Sequence, residues 1–221
     1  MAAVLSGSAP LVNRLPAPVA VLLGVVVLVG VTLPELWALV RHIGLMAHEG
    51  AHAFLGSGLG QTVKSVRLNR DGTGETVLLA VAGSGAAVAF IGYLGPSAFG
   101  LIAAALIAHT EITPVLWTGV VLLLCLLFVV RGLFGVVMVI GSCVVLFVVV
   151  RYAPAFLKAV TAYLLAWTLL LGGLRNVVER GSNASDAHEL RRITHLPRAL
   201  WSILWTALTL LALCVGCLLL A

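Results

Sequence analysis

Met46-Ala47-His48-Glu49-Gly50-Ala51-His52-Ala53-Phe54 is the stretch on which the reading of this chain turns. It carries the pattern H-E-x-x-H. On a helix, His48 and His52 stand one turn apart on one face. Two neutral imidazoles so placed can grip one divalent metal ion, and zinc is the best match to such donors. Glu49 stands beside them, where it can take a proton from an attacking water. Chance can produce this pattern on any helix. Here, however, three of the chain's 6 His and 8 acidic residues fall within one short apolar segment. Ionisable groups at membrane depth are costly and mark function.

The setting is a membrane. The chain of 221 residues is 62% hydrophobic and 10% charged, with a mean hydropathy of +1.17. That composition excludes a soluble globular domain. Unbroken apolar runs such as Val120 to Val130 exclude the alternating pattern of a membrane barrel. The expected fold is an all-α polytopic membrane protein. About seven transmembrane helices are expected, near residues 19–33, 36–56, 78–108, 115–130, 133–150, 155–171 and 199–220, with six as the alternative count. Residues 1–18, with Pro10, Pro16 and Pro18, read as an N-terminal tail, and 19–221 as a single transmembrane domain. Arg14 before the first apolar run resembles a signal peptide. No small-x-small cleavage site follows, so the span is expected to be retained. Pro34 marks a break after it, and Gly95-Pro96 a kink in the third span.

Two polar stretches interrupt the apolar runs. Residues 61–78 are expected to form a small β-hairpin: Val63 to Leu68 is strand-like, and Asn69-Arg70-Asp71-Gly72 has the chemistry of a tight turn. Residues 172–197 read as a polar loop. The net charge of +5 is not a nucleic-acid footprint, because the Lys and Arg residues lie between apolar runs and set orientation there. With Arg14 in the cytoplasm, Lys64, Arg67, Arg70, Arg131 and the basic 175–198 segment fall on the same side, and the motif in the cytoplasmic half. Arg151 and Lys158 then fall outside, against the positive-inside rule. Cys125, Cys143, Cys214 and Cys217 all lie in apolar runs, and the C-x-x-C spacing of the last two is read as packing rather than redox chemistry.

A catalytic zinc takes three protein ligands and keeps one position open. The third ligand is expected between 172 and 197, which offers Glu179, Asp186, His188, Glu189 and His195. Asp186, in a Ser-Asp sequence, equally suits a helix N-cap.

The His48-Glu49-Gly50-Ala51-His52 motif in an apolar helix resembles the site-2 protease family of intramembrane zinc metalloproteases, in its small bacterial branch. The basic hairpin after the motif, the Gly92-Tyr93-Leu94-Gly95-Pro96 segment and the Ser185-Asp186-Ala187 triplet extend the resemblance over roughly residues 40–220. Better-studied members have Leu-Asp-Gly where this chain has Ser-Asp-Ala. The resemblance implies one zinc ion held by His48, His52 and Asp186, with Glu49 as the catalytic base. It also implies hydrolysis of a peptide bond in or near a transmembrane segment of a membrane-anchored protein, by a multi-pass protein of a bacterial cell membrane. Asn183 or Asn176 would correspond to the family's asparagine near the zinc. A helical substrate must unwind to expose its carbonyls, and the 63–68 strand is expected to offer it an edge. The rival reading is a metal-binding transporter or sensor in which His42, His109, His188 and His195 line an ion path. The spans after the motif carry few polar groups and no repeat halves, which speaks against it.

Overall fold

A computed structural model describes residues 14–79, 81, 83–109 and 111–221, so most of the expected N-terminal tail lies outside the described residues. The elements run α1 (Ala17–Thr32), α2 (Pro34–Gly58), β1 (Thr62–Leu68), β2 (Gly74–Leu79), α3 (Gly85–His109), α4 (Ile112–Val129), β3 (Val130–Arg131), α5 (Leu133–Tyr152), α6 (Ala155–Arg180), α7 (Ser185–Thr194) and α8 (Arg198–Leu220). A single 3-10 turn, Gly181–Asn183, joins α6 to α7.

Among the described residues, 5 helices (α3 to α6 and α8) are each long and apolar enough to cross a membrane. The seven crossings expected from the sequence are not reproduced, because α1 and α2 meet at 106° and together make at most a sixth. The bend has a local cause. Leu33 precedes Pro34, whose ring disfavours helical backbone in the residue before it, and Leu33 is extended at φ −79 and ψ 124. The 16 residues of α1 span about 24 Å, short of a hydrocarbon core of about 30 Å.

The bend also corrects the distribution of charge. Helix α1 runs alongside α6 in the same direction: Trp167 Nε1 donates to the Ala20 carbonyl at 3.1 Å, and the Arg175 guanidinium to that of Val31. Helices α4, α5 and α6 follow one another through short turns and alternate in direction. Arg14, Arg151 and Lys158 therefore gather at one end of the bundle. The hairpin, Arg131, Arg180, α7 and Arg198 gather at the other. The expectation that Arg14 shares a side with the hairpin fails, and Arg14 joins Arg151 and Lys158 at the end opposite the hairpin.

The hairpin is present. Strands β1 and β2 pair antiparallel from Thr62↔Leu79 to Leu68↔Gly74, with a register shift between Val63 and Ser65. In its turn Asp71 accepts from the Thr73 hydroxyl at 2.6 Å and the Thr73 amide at 2.9 Å. These bonds hold the Asp71 carboxyl below the usual carboxylate range. A third strand was not legible: Val130 and Arg131 pair in parallel with Val66 and Arg67, so the sheet order is β2-β1-β3. Strand β3 covers β1 only at Val66 and Arg67, and among the described residues the edge left open along its whole length is that of β2. Val66, Leu68 and Val130 anchor the sheet on Leu45, Met46, Leu126 and Val139.

Residues 172–197, expected as a loop, are mostly helical, because α6 continues to Arg180 and α7 begins at Ser185. The polar groups there find partners without leaving the helix. Glu179 accepts from Trp37 Nε1 at 2.7 Å and lies 3.8 Å from Arg175 one turn before it. The four cysteines are all free thiols.

Helix α3 is continuous through Pro96, and its small residues bring it against α2. A Cβ on Gly95 would strike the Ala51 methyl and lie 3.1 Å from the Ala47 carbonyl oxygen. Gly95→Ala should therefore lower stability by about 1–3 kcal/mol. Gly141→Ala, with nothing within 4 Å of the new methyl, should be neutral or gain up to about 1 kcal/mol from helix propensity. Thermal unfolding of the two variants in detergent checks both.

Candidate metal centre

Helix α2 carries His48, Glu49 and His52, and α7 carries Asp186. The two imidazole Nε2 atoms are 3.2 Å apart, and each lies 3.3 Å from Asp186 Oδ2. Among the described residues this is the one cluster of three such groups with metal-holding geometry. His52 Nδ1 is 2.8 Å from the Val88 carbonyl oxygen. A carbonyl only accepts, so Nδ1 carries the hydrogen and Nε2 presents its lone pair to the centre. Asp186 Oδ2 is buried and has no hydrogen-bond donor. Two imidazole nitrogens and a carboxylate oxygen thus converge on one point, the donor set of a divalent cation.

The surroundings keep that space open. Gly92 on α3 faces the centre, and a Cβ there would press on His52 Nε2 and sit 2.8 Å from Asp186 Oδ2. The Tyr93 ring meets His48 edge-on at 4.7 Å and rests on Trp205, also at 4.7 Å. Trp205 is fixed in turn by its Nε1 bond to the Phe90 carbonyl at 3.0 Å. Ala187 and Leu190, both fully buried, seat α7 against this wall. The N-cap of α7 is Ala184, so Asp186 is not a cap. It lies in the first turn, where the helix dipole favours a carboxylate. Two nitrogens and one carboxylate oxygen fit a divalent ion that keeps a further position for water.

Glu49 is 3% exposed, and its Oε2 accepts from the Thr76 hydroxyl at 2.7 Å. Strand β2 therefore lies over the carboxylate, and a Cβ on Gly74 would run into it. Two arginines hold the hairpin tip in place: Arg41 donates to the Arg70 carbonyl at 3.3 Å, and Arg180 to that of Gly72 at 2.8 Å. Together these elements enclose a cavity of about 670 Å³ lined by His48, Glu49, His52, Thr76, Tyr93 and Asp186 among others. A larger volume of about 790 Å³, between α2 and helices α4 to α6, has no acid or histidine in its lining.

The structure thus brings His48, Glu49, His52 and Asp186 together. The other candidate ligands are engaged elsewhere: Glu179 with Trp37, Glu189 with Arg192 at 2.5 Å, and His188 with Arg198 at 2.5 Å. His195 ends α7 in left-handed backbone at φ 60. Asn176 lines the cavity, whereas Asn183 is exposed and does not. His42, His109, His188 and His195 are absent from the lining, so they form no path through it. Thr76, Arg41 and Arg180 were missed. Strand alternation puts Gly74, Thr76 and Leu78 on one face of the hairpin, which was the signal for Thr76.

Elemental analysis of the purified protein should find about one divalent metal ion per chain. Asp186→Ala and His52→Ala should lose it, and Thr76→Val, which removes no donor, should keep it.

The sequence matches the family model described as Peptidase M50B-like over residues 21–216. No curated protein and no solved structure matches the chain. The matched region runs from α1 into α8 and includes every residue of the metal centre. The chain belongs to the Peptidase M50B-like family, which is the site-2 protease family.

Proposed function

We propose that the protein is an intramembrane zinc metalloprotease that hydrolyses a peptide bond in or near a transmembrane segment of a membrane-anchored protein. The observation that carries this reading is the convergence of His48 Nε2, His52 Nε2 and Asp186 Oδ2 beside the buried Glu49 carboxylate. A zinc ion held by those three residues supplies Lewis-acid chemistry, making water acidic enough to attack at neutral pH and polarising the scissile carbonyl. The chain's own groups do the rest. Val88 fixes the His52 ring through Nδ1. Thr76 occupies Glu49 Oε2, which leaves Oε1 to accept the proton of the attacking water and pass it to the leaving amine.

A substrate helix hides its carbonyls in its own hydrogen bonds. The free edge of β2 offers an unwound segment replacement partners by strand addition, directly above Glu49. The metal end of the bundle holds most of the Lys and Arg residues, and the positive-inside rule assigns that end to the cytoplasmic side of a bacterial cell membrane.

Glu49→Gln should abolish cleavage of a membrane-anchored model substrate, by at least about 100-fold, while metal content stays at the wild-type level. Cleavage that survives this change would overturn the role of Glu49 as the base, and a metal-loaded wild type that cleaves nothing would leave a metal-binding protein. Thr76→Val should lower kcat by roughly tenfold, the worth of one hydrogen bond to a charged group, and Thr76→Ser should restore it.

A further inference from the structure

The outer face of the small sheet carries an arrangement that the catalytic reading does not use. Arg67 and Arg131 are register partners in the parallel β1–β3 pairing. The preceding pair, Val66 and Val130, is 0% and 2% exposed, so strand alternation turns both arginines to the opposite face, where both are exposed. Like charges directly opposite each other on neighbouring strands repel. Glu75, the partner of Arg67 on β2, offsets one of them. Lys64 at the register shift and Arg70 at the turn, both exposed, add further positive charge. Asp71, the other acid of the hairpin, is committed to Thr73.

The depth of this face follows from its neighbours. Arg131 stands in the turn between α4 and α5, each long and apolar enough to span. Phe128 and Leu133, on either side of it, are 81% and 82% exposed, as side chains in lipid are. Arg131 therefore sits where acyl chains give way to headgroups. Its Nη1 donates to the Phe128 and Val130 carbonyls at 3.2 and 3.0 Å, which anchors the guanidinium and leaves the rest of its N–H fork for a ligand.

We propose that Arg67 and Arg131, flanked by Lys64 and Arg70, bind the phosphate of an anionic phospholipid headgroup, so that this face of the sheet rests on the leaflet surface. Two adjacent guanidinium forks match a phosphodiester, and the bilayer itself is the source at that depth. Because β1 is hydrogen-bonded to β2, a lipid held there also steadies the strand that presents Thr76 to Glu49. The proposal stands whether or not the protein cleaves peptides.

The test equilibrates the purified full chain in mixed micelles of equal phosphatidylglycerol and phosphatidylcholine at low salt. The lipid retained after washing is then measured by native mass spectrometry. Wild type should prefer phosphatidylglycerol, by about fivefold for each cation engaged. Arg67→Gln/Arg131→Gln should remove most of the preference, Arg67→Lys/Arg131→Lys should keep part of it, and Lys158→Gln at the far end should leave it intact. An unchanged unfolding midpoint in detergent shows that each variant is folded, and single Arg67→Gln serves if the double variant is not. Equal retention of the two lipids by wild type, or an undiminished preference in the folded glutamine variants, would overturn the proposal. So would displacement of phosphatidylglycerol by equimolar inorganic phosphate or by a soluble acidic peptide, which would reassign the face to a free anion or to a protein segment.

Discussion

The convergence of two imidazole nitrogens and one carboxylate oxygen inside a low-dielectric bundle is the constraint around which the rest of this molecule is arranged. His48 and His52 come from one helix turn, Asp186 from a helix far along the chain, and their donor atoms meet at 3.2–3.3 Å. Burial strengthens every electrostatic interaction among them relative to water. The neighbouring elements hold the arrangement together. Gly92 omits a side chain where one would intrude, Val88 selects the His52 tautomer, and the Tyr93–Trp205 wall backs His48 and α7. Each of these contacts serves the geometry of the donors rather than the bulk of the core.

The bend at Leu33 is the second determinant. Helix α1 runs toward the metal end beside α6, so a straight continuation would carry α2 out past that end of the bundle. Turning by 106° instead keeps Arg41, His48, Glu49 and His52 near the end where the hairpin and α7 lie. Their neighbours there are polar, and water can reach the cavity they line. The cost of ionisable groups in a membrane protein is reduced by placing them close to the surface, and one proline achieves that here.

The hairpin acts as a roof with an open side. Strand β1 is held on both flanks, by β2 and by the two-residue β3, while Arg41 and Arg180 fasten the tip. Among the described residues the outer edge of β2, the strand that touches the Glu49 carboxylate, is open along its whole length. A segment added to that edge would lie against the base and close to the metal donors, so recognition and chemistry share one strand.

Much of this was legible in the residues alone, and the division follows the range of the interactions. The i, i+4 spacing of His48 and His52, the Asp71-Gly72 turn and the apolar spans are local patterns, each set by the geometry of a single helix, turn or lipid thickness. Asp186 was one of five candidates, because nothing local separates a carboxylate that reaches a metal from one that caps a helix. Only the packing of Ala187 and Leu190 against α3 decided it. The bend at Leu33, the pairing of Arg131 with Arg67 and the hold of Thr76 on Glu49 likewise join residues distant in the chain or depend on what lies beyond the break. Periodicity records which face of an element is buried, but which neighbour buries it is decided by the packing of the whole bundle.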